Sequence, residues 1–176
     1  MARPAIVVGS LPGDARISLA LVEHHLQTAF RWKKVVRVEY GDDPTEKTNE
    51  AWGKCCVFVL VIGPRWQAAG DENLEPITSQ VAKASRGGVL VLPVLVEGGR
   101  LPSPAPPGLK KLSQLRALTL TEDPEPALLS LQHRIKRHLH NRRTLFRFLI
   151  RSAQVLGLGG TLFSIIDAIL DSRLGL

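Results

Sequence analysis

Cys55-Cys-Val-Phe-Val-Leu-Val-Ile62 is a run of eight apolar residues, most of them β-branched or aromatic, stopped by Gly63-Pro64. Val89-Leu-Val-Leu-Pro-Val-Leu-Val96, introduced by Gly87-Gly88, is nearly its equal. A strand that is apolar along its whole length has no solvent face. The pair therefore belongs in the middle of a parallel sheet covered by helices on both sides.

The flanking segments alternate in the way such a sheet requires. Ala5-Ile-Val-Val8 is a short first strand ending at Gly9-Ser10, followed by turn residues and by Asp14, an expected N-cap for a helix over 15–30. In that helix Ile17, Ala20, Leu21 and Leu26 are the expected buried stripe, with Glu23 and Gln27 facing water. Val35–Val38 is a second strand, and a helix opening at Pro44 or Thr45 ends near Gly53. Gly98 to Gly108, with four prolines and three glycines, reads as an irregular surface loop. A short edge strand over 115–120 and a helix over 124–140 complete a domain of residues 4–140, leaving a segment of 141–176. There is no internal repeat.

Composition sets broad limits. Hydrophobic content of 44% and charged content of 22% are globular values, so the chain can bury a core. The net charge of +7 is concentrated. No acidic residue lies between Pro126 and Ile166, where Arg134, Lys136, Arg137, Arg142, Arg143, Arg147 and Arg151 fall. Such a block suits an anionic partner. Cys55 and Cys56, the two cysteines, are adjacent and read as small core residues at a strand start rather than as a disulfide or metal site. The apolar run in MARPAIVVGS is too short for a signal peptide, so a cytoplasmic location is expected.

Cys55-Cys-Val-Phe-Val-Leu-Val-Ile-Gly-Pro-Arg-Trp66 resembles the third strand and following loop of bacterial TIR (Toll/interleukin-1 receptor) domains. Gly88-Val-Leu-Val-Leu-Pro-Val-Leu-Val96 resembles the fourth strand of that family. The resemblance implies a five-stranded parallel sheet with helices on both faces, of the TIR/flavodoxin-like kind, and a module for signalling or self-association.

In TIR domains that cleave NAD, the resemblance implies a catalytic glutamate on the helix before the fourth strand. A gapless count back from Gly88 puts Gln80 there. Glutamine carries no charge with which to stabilise a developing oxocarbenium ion. Glu72 and Glu75 are expected in the loop before that helix, Glu75 being the one alternative catalytic candidate. The Gly41–Pro44 loop is shorter than usual in the family, and Gly9-Ser-Leu-Pro12 lacks the aromatic and basic residues common there. The expectation is a chain without catalytic residues and without a cofactor. Gly9 and Ser10, just past a first strand, and Arg65 and Trp66 remain candidate nucleotide contacts. No GxGxxG or P-loop pattern supports a phosphate site. Trp66 is expected to cap the strand end with Arg65 exposed, and Trp52 to lie in the core. His133, His138 and His140 fall among cations, which disfavours a metal.

The stretch LFRFLIRSAQVLGLGGTLFSIIDAIL, following Thr144, has no counterpart in a plain TIR domain. As one helix it would be about 40 Å long, enough to cross a hydrocarbon core of ~30 Å. Arg147, Arg151, Gln154, Thr161 and Ser164 form a narrow polar stripe, while Phe148, Leu156, Phe163 and Ile166 are among the apolar remainder. Gly157, Gly159 and Gly160 permit close helix contact or break the segment into a hairpin, and Asp167 needs a partner if it meets lipid. With Arg142 and Arg143 just ahead of it, the segment is expected to engage an anionic membrane.

The expected function is thus a self-associating TIR-like effector, without catalysis, whose tail engages or permeabilises a membrane in bacterial defence or cell death. Two alternatives stand beside it: an NAD-cleaving enzyme, and a soluble adaptor whose tail docks on a protein. Nucleic-acid binding is disfavoured, since Phe146 and Phe148, the aromatics near the basic block, belong to the apolar helix.

Overall fold

The structure, a computed structural model, describes residues 5–39, 51–101, 109, 112 and 114–155. For Asp71, Glu72 and residues 142–155 it describes the backbone alone. Five parallel strands stand in the order β2-β1-β3-β4-β5. They are β1 (Ala5–Ser10), β2 (Lys34–Glu39), β3 (Cys55–Ile62), β4 (Leu90–Leu95) and β5 (Leu118–Thr119). The connecting helices are α1 (Arg16–Ala29), α2 (Asp71–Arg86) and α3 (Glu125–Val155). Residues 51–53 are helical just before β3. The chain divides into two compact units, Met1–His133 and Arg134–Leu176.

The two apolar runs are the central strands, paired in register from Val57↔Leu90 to Ile62↔Leu95. Alternate residues of each strand enter opposite layers. Ala5, Val7, Phe58, Leu60, Ile62 and Val91 pack against Leu74, Ile77, Val81 and Ala84 of α2, with Trp66, Leu109 and Leu112 in the same cluster. Trp52 closes on Phe58 edge to face at 4.9 Å. Ile6, Val8, Val57, Val59 and Val61 point the other way and are fully buried, as are Leu19, Val22, Leu26, Phe30 and Leu131. Cys56 is buried and Cys55 half-buried, and neither forms a disulfide.

Two local expectations are corrected. The buried stripe of α1 is Leu19, Val22 and Leu26, not one containing Ile17, Ala20 and Leu21. Ile17 is 85% exposed and Leu21 39%. Both sets have helical spacing, so periodicity alone could not choose between them. Glu72 and Glu75 lie within α2 rather than ahead of it, because the helix already opens at Asp71 behind Gly70. Pro76 falls in the second turn of α2, where its missing N–H removes one i→i−4 hydrogen bond from the helix.

The register of α1 is testable. Leu26→Ala should cost about 2–5 kcal/mol in denaturant unfolding, and Ile17→Ala should stay within ~0.5 kcal/mol. A pH effect follows from His25. Burial lowers its pKa from the ordinary 6.5, outweighing hydrogen bonding to Gln132 and Leu128, and His24 adds to the lowering. The unfolded chain therefore takes up a proton that the folded chain resists. Stability should decline as pH falls through 6.5, and the decline should shrink in His25→Gln.

Candidate functional site

Open α/β sheets bind ligands at the carboxyl ends of their strands, where the winding direction reverses. Here β2 lies on one side of β1 and β3 on the other. The switch point therefore lies between the ends of β1 and β3, at Ser10 and Gly63.

The turn Leu11–Asp14, closed by the Asp14 N–H bonding to the Leu11 carbonyl at 3.1 Å, brings Asp14 to that point. Its carboxylate does not cap α1. The N-cap position is Ala15, in a left-handed conformation with φ 43 and ψ 46, and no side chain caps the helix. Instead one Asp14 oxygen accepts the Gly63 N–H at 2.9 Å and the other accepts the Arg65 N–H at 3.2 Å. Asp14 is 2% exposed. Gly63 has no side chain because a Cβ there would collide with that carboxylate. The amides that could have cradled a phosphate thus already hold an anion supplied by the chain.

Neighbouring groups complete the closure. The Arg65 guanidinium donates to the Pro12 carbonyl at 3.0 Å, fastening the turn from outside. The Gly13 N–H donates to Glu39 at 3.4 Å. Glu39 also pairs with Arg37. At the first turn of α1 the Ser18 hydroxyl donates to Glu97 at 2.7 Å. Three carboxylates therefore stand around the crevice together with the guanidiniums of Arg16, Arg37 and Arg65.

Gly9 is buried. Ser10 is fully buried, and its hydroxyl has no partner among the described residues. Trp66 is fully buried on the 3-10 turn Pro64–Gln67, within the α2-side core, while Arg65 is exposed. The structure brings Ser10 and Arg65 to the switch point and sends Trp66 into the core. Gln80 is half-buried, roughly 13 Å along the axis of α2 from Asp71 at 1.5 Å per residue. Glu75 is exposed on α2. Arg142, Arg143, Arg147, Phe148 and Arg151 lie on the α3 backbone, and Leu156, Gly157, Gly160, Phe163, Ile166 and Asp167 lie outside the described residues. Among the described residues no helix is long and apolar enough to cross a membrane, and no cluster of three or more His, Cys, Asp or Glu could hold a metal. At the switch point the sequence expectation that fails is Asp14 as a helix cap.

With this geometry, one solved structure is decisive for the fold. The TIR domains of the activated Roq1 resistosome, which directly recognises the pathogen effector XopQ, match 75% of this chain and 99% of theirs with a TM-score of 0.56 at 12% identity. The fold is TIR-like. The diflavin flavoprotein A3 of Nostoc sp. (TM-score 0.49, 16% identity, 81% of this chain, 99% of that one) and a flavodoxin-like domain from Synechococcus sp. (0.43, 14%, 73% and 91%) score lower and add nothing to the assignment. No protein-family model and no curated protein matches the chain. In this TIR-like fold the Asp14 carboxylate bridges the ends of β1 and β3.

Asp14→Ala should leave the Gly63 and Arg65 amides without an acceptor, lowering stability by about 1–3 kcal/mol per buried donor. Ala15→Gly should raise stability by about 1 kcal/mol by relieving the left-handed strain. Chemical denaturation of the two variants measures both.

Proposed function

We propose that this chain is a TIR-like self-associating module which binds no nucleotide and engages an anionic membrane through its C-terminal segment. The observation that carries the first half is the Asp14 carboxylate on the Gly63 and Arg65 amides, which supplies internally the anion a nucleotide would bring. Gln80, standing where the TIR resemblance implies a catalytic glutamate, supports the same reading. A module that does no chemistry acts by bringing copies or partners together.

Self-association draws support from α1. Ile17 and Leu21, one turn apart, remain exposed at 85% and 39%, so a face of this helix carries apolar surface that the fold does not use. The Roq1 TIR domains belong to a resistosome, an assembly of the kind this reading gives to the present chain. The membrane half draws support from the sequence of residues 134–176, where a cationic block precedes a long apolar stretch. In the mechanism proposed, association through the TIR-like surface gathers many tails. Their Arg147, Arg151 and Asp167 then pair with one another, which offsets the penalty of placing them near lipid. Permeabilising a membrane in this way suits bacterial defence or cell death, the setting in which TIR-like domains often serve.

Two measurements test the proposal. In sedimentation velocity the wild type should associate as its concentration rises. Ile17→Asp/Leu21→Asp should weaken association at least tenfold while leaving the unfolding midpoint in place. In co-sedimentation with anionic vesicles the full chain should pellet, and a chain ending at Asn141 should bind far less. Equal pelleting of the two would remove the tail from the account.

A further inference from the structure

The parallel sheet has a second edge, where every strand enters and the preceding helix ends. Three described turns line up along it. Phe30–Lys34 leads from α1 into β2, Gly53–Cys55 leads into β3, and Lys83–Val89 leads from α2 into β4. The register confirms the alignment: Ala5 of β1 is level with Lys34 on one side and with Cys55 on the other. From β2 to β4 is three strand spacings, about 14–15 Å.

These turns carry Arg31, Lys33, Lys34, Lys54, Lys83 and Arg86, and none of their residues is acidic. The described carboxylates of the sheet's own loops, Asp14, Glu39, Glu97, Glu122 and Asp123, are all at the opposite end, where they mix with Arg16, Arg37, Arg65 and Arg100. Among the described residues, the strand-entry turns carry cations without carboxylates. Helix dipoles account for Lys83 and Arg86, the cations in the last turn of α2. They do not account for Arg31, Lys34 and Lys54, which stand in strand-entry turns. Arg31, Lys34, Lys83 and Arg86 are exposed.

Among these cations lies Trp32, 44% exposed. Its ring is braced from two sides: Phe30 meets it edge-on at 6.4 Å between centroids, and the Lys33 ammonium sits 4.5 Å from the ring centre. Lys33 is 9% exposed, and its ammonium also reaches the Cys56 sulfur at 3.8 Å. The tryptophan is thus held at the surface by the core instead of folding into it. A fixed indole ringed by cations has the chemistry of a membrane-interface anchor, in which the ring seats at headgroup depth and the cations meet lipid phosphates and carboxylates.

We propose that the strand-entry edge, with Trp32, Arg31 and Lys34 at its β2 end and Lys83 and Arg86 at β4, is a docking face for an anionic lipid surface. It deepens the membrane reading given above and rests on it, but through residues of the folded domain rather than of the tail. A polynucleotide fits less well, because Lys33 already occupies one face of the indole and no second exposed aromatic is present among the described residues of these turns to continue a stack. One weak anchor holds a protein at a membrane only marginally, whereas two together hold it stably. The edge supplies the second.

The test uses the full chain with vesicles of phosphatidylserine and phosphatidylcholine in equal parts. Arg31→Gln/Lys34→Gln and Lys83→Gln/Arg86→Gln remove exposed charges without touching the core. Each pair should weaken vesicle binding about 25-fold, near fivefold per cation. Brominated phosphatidylcholine should quench the wild type, and the quenching should fall in Trp32→Phe, since Trp66 is fully buried. Unchanged vesicle binding by both double variants overturns the proposal. If the chain ending at Asn141 then fails to bind, the tail reading stands and this one alone has failed. Loss of single-stranded oligonucleotide binding in the double variants, with vesicle binding unchanged, reassigns the face to nucleic acid and likewise overturns it.

Discussion

Asp14 and Gly63 are 49 residues apart in the chain, yet the carboxylate of one receives the amide of the other at 2.9 Å. A second bond, from Arg65 at 3.2 Å, makes the contact two-pronged. A buried carboxylate is stable only when its charge is met by donors. Backbone amides at the end of a buried strand likewise need acceptors. Each satisfies the other, and the contact fixes the first turn against the third strand. Several features then follow. Gly63 must lack a side chain, Ala15 is forced into the left-handed region, and α1 begins without a cap. The edge where related architectures receive ligands is left with a buried carboxylate on its amides and with carboxylates and guanidiniums around it.

The same arrangement gives the domain two unlike ends. Among the described residues, carboxylates and guanidiniums mix where the strands leave the sheet, whereas the turns where they enter it carry cations without carboxylates. A parallel sheet makes such segregation possible because all strand entries share one edge. In an antiparallel sheet the same residues would be distributed between both ends. Topology thus brings lysines and arginines scattered along the chain to one edge, and the braced Trp32 adds an apolar group at its β2 end.

Much of the architecture was legible beforehand because it rests on strong local signals. Cys55–Ile62 is the observed β3 to the residue, and the Val89–Val96 run contains β4, since uninterrupted apolar strands have only one comfortable environment. What could not be read was which of two candidates a residue would serve. Asp14 stands next to a helix start, and only the fold brings Gly63 closer to it than the α1 amides. The Ile17 stripe and the Leu19 stripe have the same helical period, and the side of α1 that faces the sheet is set by the turn before it. Trp32 gave no sign in sequence, because its exposure depends on Lys33 and Phe30 holding it from below. At the candidate site, Ser10 and Arg65 reach the switch point from separate strands, while Trp66, adjacent to Arg65 in sequence, turns into the core.

If the chain's own carboxylate occupies the ligand edge, titrating the full chain with NAD should leave the backbone amide resonances of Gly13, Gly63 and Arg65 in place up to millimolar nucleotide. Saturable shifts at Gly63 and Arg65, showing that a phosphate has displaced Asp14 from its amides, would contradict that occupancy.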